Sequence, residues 1–168
     1  MKRILVVSDI HGELEKFIQL LWKAKFNSHK DQLILLGDYV DRGPNSKETV
    51  EYIIGLVKNH HAIALRGNHD EMFLDWLDNK DSQIDLDYLR NGGMTTLQSY
   101  FSEIKTLNEV REYIKKHYQY HIQFLRILPY YYETDKFVFV HAGINPLYED
   151  WKLTPKEEMV WIRELFFL

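Results

Sequence analysis

Three short, wholly apolar runs punctuate the first part of the chain: Ile4–Val7, Leu33–Leu36 and Ala62–Leu65. Each is too short for a helix and lacks polar alternation, the pattern of strands buried on both faces. Between them, apolar residues return at helical spacing. Leu14, Phe17, Ile18, Leu21 and Trp22 mark one buried face, and Val50, Ile53, Ile54 and Val57 mark another. Strand, helix, strand, helix, strand predicts an α/β fold built on a parallel sheet with right-handed crossovers. Residues 70–128 read as a helical insertion without strands, packed over one end of the sheet. Within it, Leu107, Val110, Ile114, Tyr118, Ile122 and Leu125 form one stripe ending before Pro129, which predicts a helix over 106–127. Asn91-Gly92-Gly93 marks a turn between two helical segments. Beyond Pro129 the pattern is β again, with Tyr130–Tyr132 and Phe137–Val140 spaced as a hairpin and the tyrosines alternating between core and surface. A last helix is predicted from Thr154 as N-cap, with Pro155 at its first position and Glu157 closing a capping box, running to Leu168.

Composition narrows the class. The 168 residues, 45% of them apolar, suffice for one domain over 1–168 with its own core. Charged residues at 27% and aromatics at 14% exclude disordered and low-complexity architectures. The 21 Lys+Arg against 25 Asp+Glu leave a net charge of −4, so nucleic acid is not an expected partner. Without cysteine there is no disulfide framework, thiolate nucleophile or cysteine-based zinc site. The opening Met-Lys-Arg-Ile-Leu-Val-Val orders basic before apolar residues as an export signal does, but the apolar run meets Ser8-Asp9 too soon. No stretch approaches the roughly 18–20 apolar residues of a membrane span. A cytoplasmic protein without a membrane partner is expected. The apolar finish, Leu165-Phe166-Phe167-Leu168, reads as a chain cut short.

The chemistry follows the strands. After the first comes Ser8-Asp9-Ile10-His11-Gly12, after the second Gly37-Asp38-Tyr39-Val40-Asp41-Arg42-Gly43, after the third Arg66-Gly67-Asn68-His69-Asp70, and after the later strand His141-Ala142-Gly143. Carboxyl ends of strands are where open α/β sheets place their sites. Asp9, His11, Asp38, Asn68 and His141 offer only oxygen and imidazole nitrogen, a set that suits manganese, iron, zinc or nickel. Five ligands exceed what one ion takes while leaving room for substrate. Two divalent ions bridged by Asp38 would use them all and would suit phosphoryl transfer. Arg42 and Arg66 stand beside these ligands as planar forks for phosphate oxygens.

In this order, Ser-Asp-Ile-His-Gly, Gly-Asp-Tyr-Val-Asp-Arg-Gly, Arg-Gly-Asn-His-Asp and Val-His-Ala-Gly resemble the phosphoprotein phosphatase family of calcineurin-like metallophosphoesterases. Asn91-Gly92-Gly93 with Thr96-Leu97, and Val160-Trp161-Ile162-Arg163-Glu164, resemble its bacterial branch, which includes symmetrical diadenosine tetraphosphate hydrolases. The resemblance implies a mixed β-sandwich flanked by helices, so the parallel strands form part of a mixed sheet. It implies that Asp9 and His11 hold one metal, that Asp38 bridges, and that Asn68 and His141 hold the second, with manganese the expected ion. It further implies His69 as general acid oriented by Asp41, phosphate bound by Arg42, Arg66 and Arg163, and direct attack by metal-bound hydroxide. A further metal-binding histidine in a Gly-His-Thr motif, with the last strands of the sandwich, belongs to the family pattern and is expected beyond Leu168.

Function classes are ordered accordingly. A metal-dependent phosphatase for phosphoserine and phosphothreonine in proteins comes first, with a phosphorylated protein or a small phosphoester as substrate. A symmetrical diadenosine tetraphosphate hydrolase, with a nucleotide substrate, is the alternative. A catalytically impaired phosphate-binding fragment is the alternative from another class.

Overall fold

The computed structural model describes residues 2–103 and 106–167. Strands β1 (Arg3–Val7), β2 (Asp31–Leu35) and β3 (Ile63–Ala64) form a parallel sheet in the order β1-β2-β3. Val7 pairs with Leu35, and Leu35 with Ala64. The three strands therefore end level with one another, and the loops that leave them emerge side by side. Helices α1 (Leu14–Lys23) and α2 (Ser46–His60) make the two crossovers. His60 ends α2 and His61 caps it in the left-handed conformation (φ 54°).

Five helices follow: α3 (Asn68–Asp78), α4 (Ser82–Arg90), α5 (Gly93–Tyr100), α6 (Leu107–His117) and α7 (Gln119–Ile127). No strand lies among the described residues of this stretch, as the sequence pattern predicts. Its core is aromatic: Phe73 stacks with Tyr88 at 6.1 Å and with Tyr100 at 5.7 Å between ring centroids. Buried Arg111 of α6 lies over the Trp76 ring at 4.4 Å, donates to the Trp76 carbonyl at 2.9 Å, and bonds Asp85 of α4. One side chain thus ties three helices together. Strands β4 (Tyr131–Glu133) and β5 (Val138–Val140) form the expected antiparallel hairpin, a sheet separate from the first. A 3₁₀ turn (Trp151–Leu153) and helix α8 (Lys156–Trp161) follow. No helix among the described residues is long and apolar enough to cross a membrane.

Four expectations need correction. Strand β1 is not buried on both faces: it is an edge of the three-stranded sheet, and Ile4 and Val6 face outward, Val6 with 45% of its surface exposed. The buried face of α1 is a single row, Phe17 and Leu21, while Ile18 is exposed and Trp22 is 79% exposed. The helix expected over 106–127 breaks at Tyr118 (φ −123°, ψ 33°), which ends α6 and begins α7. The apolar stripe survives the break because both pieces face the core, and the Tyr118 ring meets Tyr100 edge-on at 4.9 Å. Finally, Thr154 is not the cap of α8. Its hydroxyl accepts from the Asn145 N–H at 3.1 Å, Pro155 takes the cap position, and the helix ends at Trp161. Glu164–Phe167 form a 3₁₀ turn, and Leu168 lies outside the described residues.

These burial differences predict unequal sensitivity. Leu35→Ala, at a fully buried position of the central strand, should lower unfolding free energy by about 2–5 kcal/mol. Val6→Ala on the open face of β1 should cost no more than about 1 kcal/mol, with both read from denaturant melts.

Candidate active site

The loops after β1 and β2 carry an unusual backbone. Asp9 (φ 56°), His11 (46°), Asp38 (58°), Asp41 (71°) and Arg42 (69°) are all in the left-handed region, joined among the described non-glycine residues only by Lys25 and His61. Each such residue costs roughly 1–2 kcal/mol, so the conformation persists only where neighbours enforce it. Here the loops bond each other: the N–H of Asp9 donates to the Gly37 carbonyl (3.2 Å), that of His11 to the Asp38 carbonyl (2.9 Å) and that of Gly12 to the Tyr39 carbonyl (2.8 Å). The strained positions are the ones bearing the chemistry.

The loops after β2 and β3 are knit by a second device. The wholly buried Asp70 carboxylate accepts from the backbone N–H groups of Asp38, Tyr39 and Gly67, each at 2.9 Å. In return, Asp38 Oδ1 accepts the N–H of His69 at 2.9 Å. Such proximity requires glycine at Gly67, where a Cβ would land on the Asp38 backbone nitrogen and carboxylate. Burial pushes the Asp70 carboxyl up to about 8, aided by the charge of nearby Asp38 and opposed by the three N–H donors.

Each imidazole in the cluster has its Nδ1 committed. His11 Nδ1 donates to the Val40 carbonyl (2.8 Å), His141 Nδ1 to the Leu36 carbonyl (3.0 Å), and His69 Nδ1 to Asp41 Oδ2 (2.8 Å). A carbonyl can only accept, so the proton sits on Nδ1 and the Nε2 lone pair of His11 and His141 is left facing inward. Burial, with Arg42 and His69 adding to it, holds His11 below the ordinary histidine value, although the Val40 carbonyl and Asp38 act the other way. The neutral ring is the form that ligates a metal.

Those lone pairs converge on one carboxylate. Asp38 Oδ2 lies 3.5 Å from His11 Nε2 and 3.6 Å from His141 Nε2. Single donor atoms of Asp9, Asp38 and His141 fall within 4.8 Å of one another, and so do those of His11, Asp38 and His69. Asp38 belongs to both groups. His141 Nε2 also faces Asn68 Oδ1 at 2.9 Å, a pair of acceptors that a shared cation, a proton on Nε2 or a turn of the Asn68 amide would reconcile. The Arg42 guanidinium already presents positive charge to the same space, with Nη1 2.9 Å from His11 Nε2 and Nη2 2.9 Å from His69 Nε2. The donors present thus fit divalent cations of the hard and intermediate type.

Asp41 is the hub behind His69. It is fully buried, and its Oδ1 accepts from the Tyr88 and Thr96 hydroxyls, each at 2.8 Å. Its backbone N–H donates to Ser46 (3.1 Å) and Thr96 (2.7 Å). Helices α4 and α5 therefore meet at this carboxylate and α2 at the backbone N–H of the same residue, and Gly92 between α4 and α5 accepts the Arg42 N–H at 3.1 Å. The helical insertion is thereby anchored on the motif loop.

The structure brings together Asp9, His11, Asp38, Asp41, Arg42, Asn68, His69 and His141. It does not bring Arg66 or Arg163 into contact with them. The Arg66 guanidinium caps α7, donating to the carbonyls of Leu125 (2.9 Å) and Arg126 and to the Tyr130 hydroxyl (2.9 Å). Arg163 donates to the Ile162 carbonyl at 3.1 Å. Asp70, Tyr88 and Ser46 were not singled out by sequence reasoning. Asp70 lies within a motif and its spacing was visible, whereas nothing in the α4 pattern distinguishes Tyr88 from a core tyrosine.

Against this geometry stand the comparisons. Residues 2–166 match the family model of calcineurin-like phosphoesterases, and the chain belongs to that family. Bis(5'-nucleosyl)-tetraphosphatase, symmetrical, of Buchnera aphidicola subsp. Acyrthosiphon pisum (strain Tuc7) is 52% identical over 64 residues, 38% of this chain and 23% of that protein. Serine/threonine-protein phosphatase 1 of Salmonella typhimurium is 34% identical over 92 residues, 55% of this chain and 39% of that protein. The crystal structure of a metallophosphoesterase from Sphaerobacter thermophilus superposes with a TM-score of 0.54 at 25% identity, covering 84% of this chain and 47% of that one. Each match spans less than half of the relative's own length.

Tyr88→Phe removes one of two hydroxyl donors to a fully buried carboxylate oxygen. It should destabilise the chain by about 1–2 kcal/mol in a denaturant melt, with no change in secondary structure by circular dichroism.

Proposed function

We propose that this chain carries the dinuclear metal centre of a phosphoric ester and anhydride hydrolase whose substrate is a dinucleoside tetraphosphate. The reading rests on one observation above the others: the Asp38 carboxylate belongs to both groups of imidazole and carboxylate donors, with Nε2 of His11 and of His141 3.5 and 3.6 Å from it. The tetraphosphatase relative, with 52% identity across the matched stretch, supports the choice of substrate. Motifs common to both enzyme types cannot rank them, so this order replaces the one expected from the motifs alone. Hydrolysis of phosphoserine or phosphothreonine is the second reading, supported by the longer 92-residue likeness to the Salmonella phosphatase.

In this proposal Asp9 and His11 would hold one cation and Asn68 and His141 the other, with Asp38 serving both; this pairing follows the family resemblance, whereas the donor atoms nearest one another group Asp9 with His141 and His11 with His69. Divalent ions there would neutralise charge on a phosphate and make water acidic enough to lose a proton near neutral pH. Manganese is the first ion to test, with iron, zinc and nickel as alternatives. The other roles belong to the chain. Arg42 presents a two-pronged donor that an arriving phosphate would draw away from His11 and His69. His69 Nε2, freed from that contact, holds a proton for the oxygen of the departing group. Asp41 fixes the His69 ring through Nδ1 at 2.8 Å and so aims Nε2 at the departing oxygen. Arg163 remains a candidate phosphate contact, and Arg66 would serve only if its guanidinium left α7.

Parallel assays on diadenosine tetraphosphate and a phosphoserine peptide, with manganese and then with chelator, test the proposal. Metal-dependent turnover of the dinucleotide in preference to the peptide is expected, and the opposite preference would favour the second reading. Asp38→Asn should lower manganese content and turnover together. His69→Asn should reduce turnover by about 10²–10⁴-fold with manganese content unchanged. Loss of metal in that variant would make His69 a ligand.

A further inference from the structure

An open cavity of about 800 Å³ lies between the end of α7, the first hairpin strand and the start of α8. Its lining includes Arg66, Arg126, Lys152 and Lys156, together with Tyr130 and Tyr131, and no acidic residue. In a chain of net charge −4, four cations around one cavity run against the average. Three of them have acids outside the lining: Glu133 is 2.8 Å from Lys152, Asp78 is 2.6 Å from Arg126, and Glu71 is 3.9 Å from Arg66. Lys156 has no acidic partner within 4 Å among the described residues, and its ammonium stands 5.4 Å from the Tyr130 ring centre. The Arg66 Nε, in a residue only 9% exposed, is buried without a hydrogen-bond partner. The remaining wall is apolar apart from Thr154, formed by Ile127, Leu128, Pro129 and Met159, and the Tyr131 ring is held edge-on against Trp151 at 4.9 Å.

The cavity adjoins the metal-binding loops at two points. Arg66 precedes Asn68 by two residues, at most about 7 Å of backbone. The Met159 carbonyl accepts the N–H of Ala142 at 2.9 Å, beside His141. Volume, cationic rim and aromatic-apolar wall together match a ligand that is aromatic at one end and anionic at the other. We infer that this cavity binds a nucleoside phosphate, namely the half of the substrate that extends away from the metal centre. The inference rests on the dinucleotide reading above and assigns, besides Arg66, substrate-holding residues outside the family motifs. It also gives a use to the tyrosines at 130 and 131, which read from sequence only as alternating core and surface.

Equilibrium dialysis of the full chain in chelator, with ADP as probe and with adenosine and orthophosphate as comparisons, tests it without any metal. Saturable ADP binding is expected, tighter than that of either comparison, and weakened about tenfold or more in Lys152→Glu/Lys156→Glu. The same variant should stay folded, losing no more than the small contribution of the exposed Lys152–Glu133 pair, and Lys156→Arg should retain binding. Absence of saturable ADP binding by the folded chain would overturn the inference. So would ADP binding that the double variant leaves unchanged, or orthophosphate binding as tight as ADP. Hydrolysis assays separate this outcome from the fate of the functional proposal. Dinucleotide turnover with an unchanged KM in the double variant would remove the cavity and leave the activity. ADP binding without dinucleotide turnover would do the reverse.

Discussion

The buried Asp70 carboxylate holds the loop after β2 against the loop after β3, and the positions of Asp38, Asn68 and His69 depend on that grip. It accepts three backbone N–H groups, from Asp38, Tyr39 and Gly67, at 2.9 Å each. The Asp38 carboxylate returns a bond to the His69 N–H. Neither loop could close this way with a side chain at Gly67. A parallel sheet with level strand ends brings the loops to one edge. The carboxylate then sets their separation closely enough for Asp38 to face two histidines.

A second constraint is strain. Five residues of the motif loops, Asp9, His11, Asp38, Asp41 and Arg42, occupy the left-handed region. Inter-loop hydrogen bonds and a closely packed core offset that cost. The aromatic stack of Phe73, Tyr88 and Tyr100 belongs to the same support, because Tyr88 both packs in it and donates to Asp41. Packing of the helical insertion and orientation of His69 are therefore one structural unit. Stability and chemistry are coupled there through the Tyr88 and Thr96 hydroxyls.

Much of this was legible in the residues. The apolar runs marked the strands, their parallel order followed from the intervening helices, and Asn91-Gly92-Gly93 marked the α4–α5 turn. The site motifs were legible because each follows a strand end, and strand ends in such sheets share an edge. What sequence could not supply was direction. Periodicity gave Ile18 and Trp22 the same standing as Phe17 and Leu21, though only the latter pair meets the core. A continuous stripe hid the break at Tyr118, because a helix can bend around its core without interrupting its apolar face. Arg66 stands in a motif, yet its guanidinium reaches the end of α7, an outcome fixed by long-range contacts.

The chain is a member of the calcineurin-like phosphoesterases whose matched relatives extend well beyond it in length. The central claim is that Asp38 joins two cation sites built from three separate loops and the end of β5. Manganese stoichiometry, measured by equilibrium dialysis and elemental analysis of the folded chain, tests it most directly. Two equivalents bound per chain, both removed by chelator, is the predicted result. A single equivalent at saturation, or none, with the fold intact would contradict it.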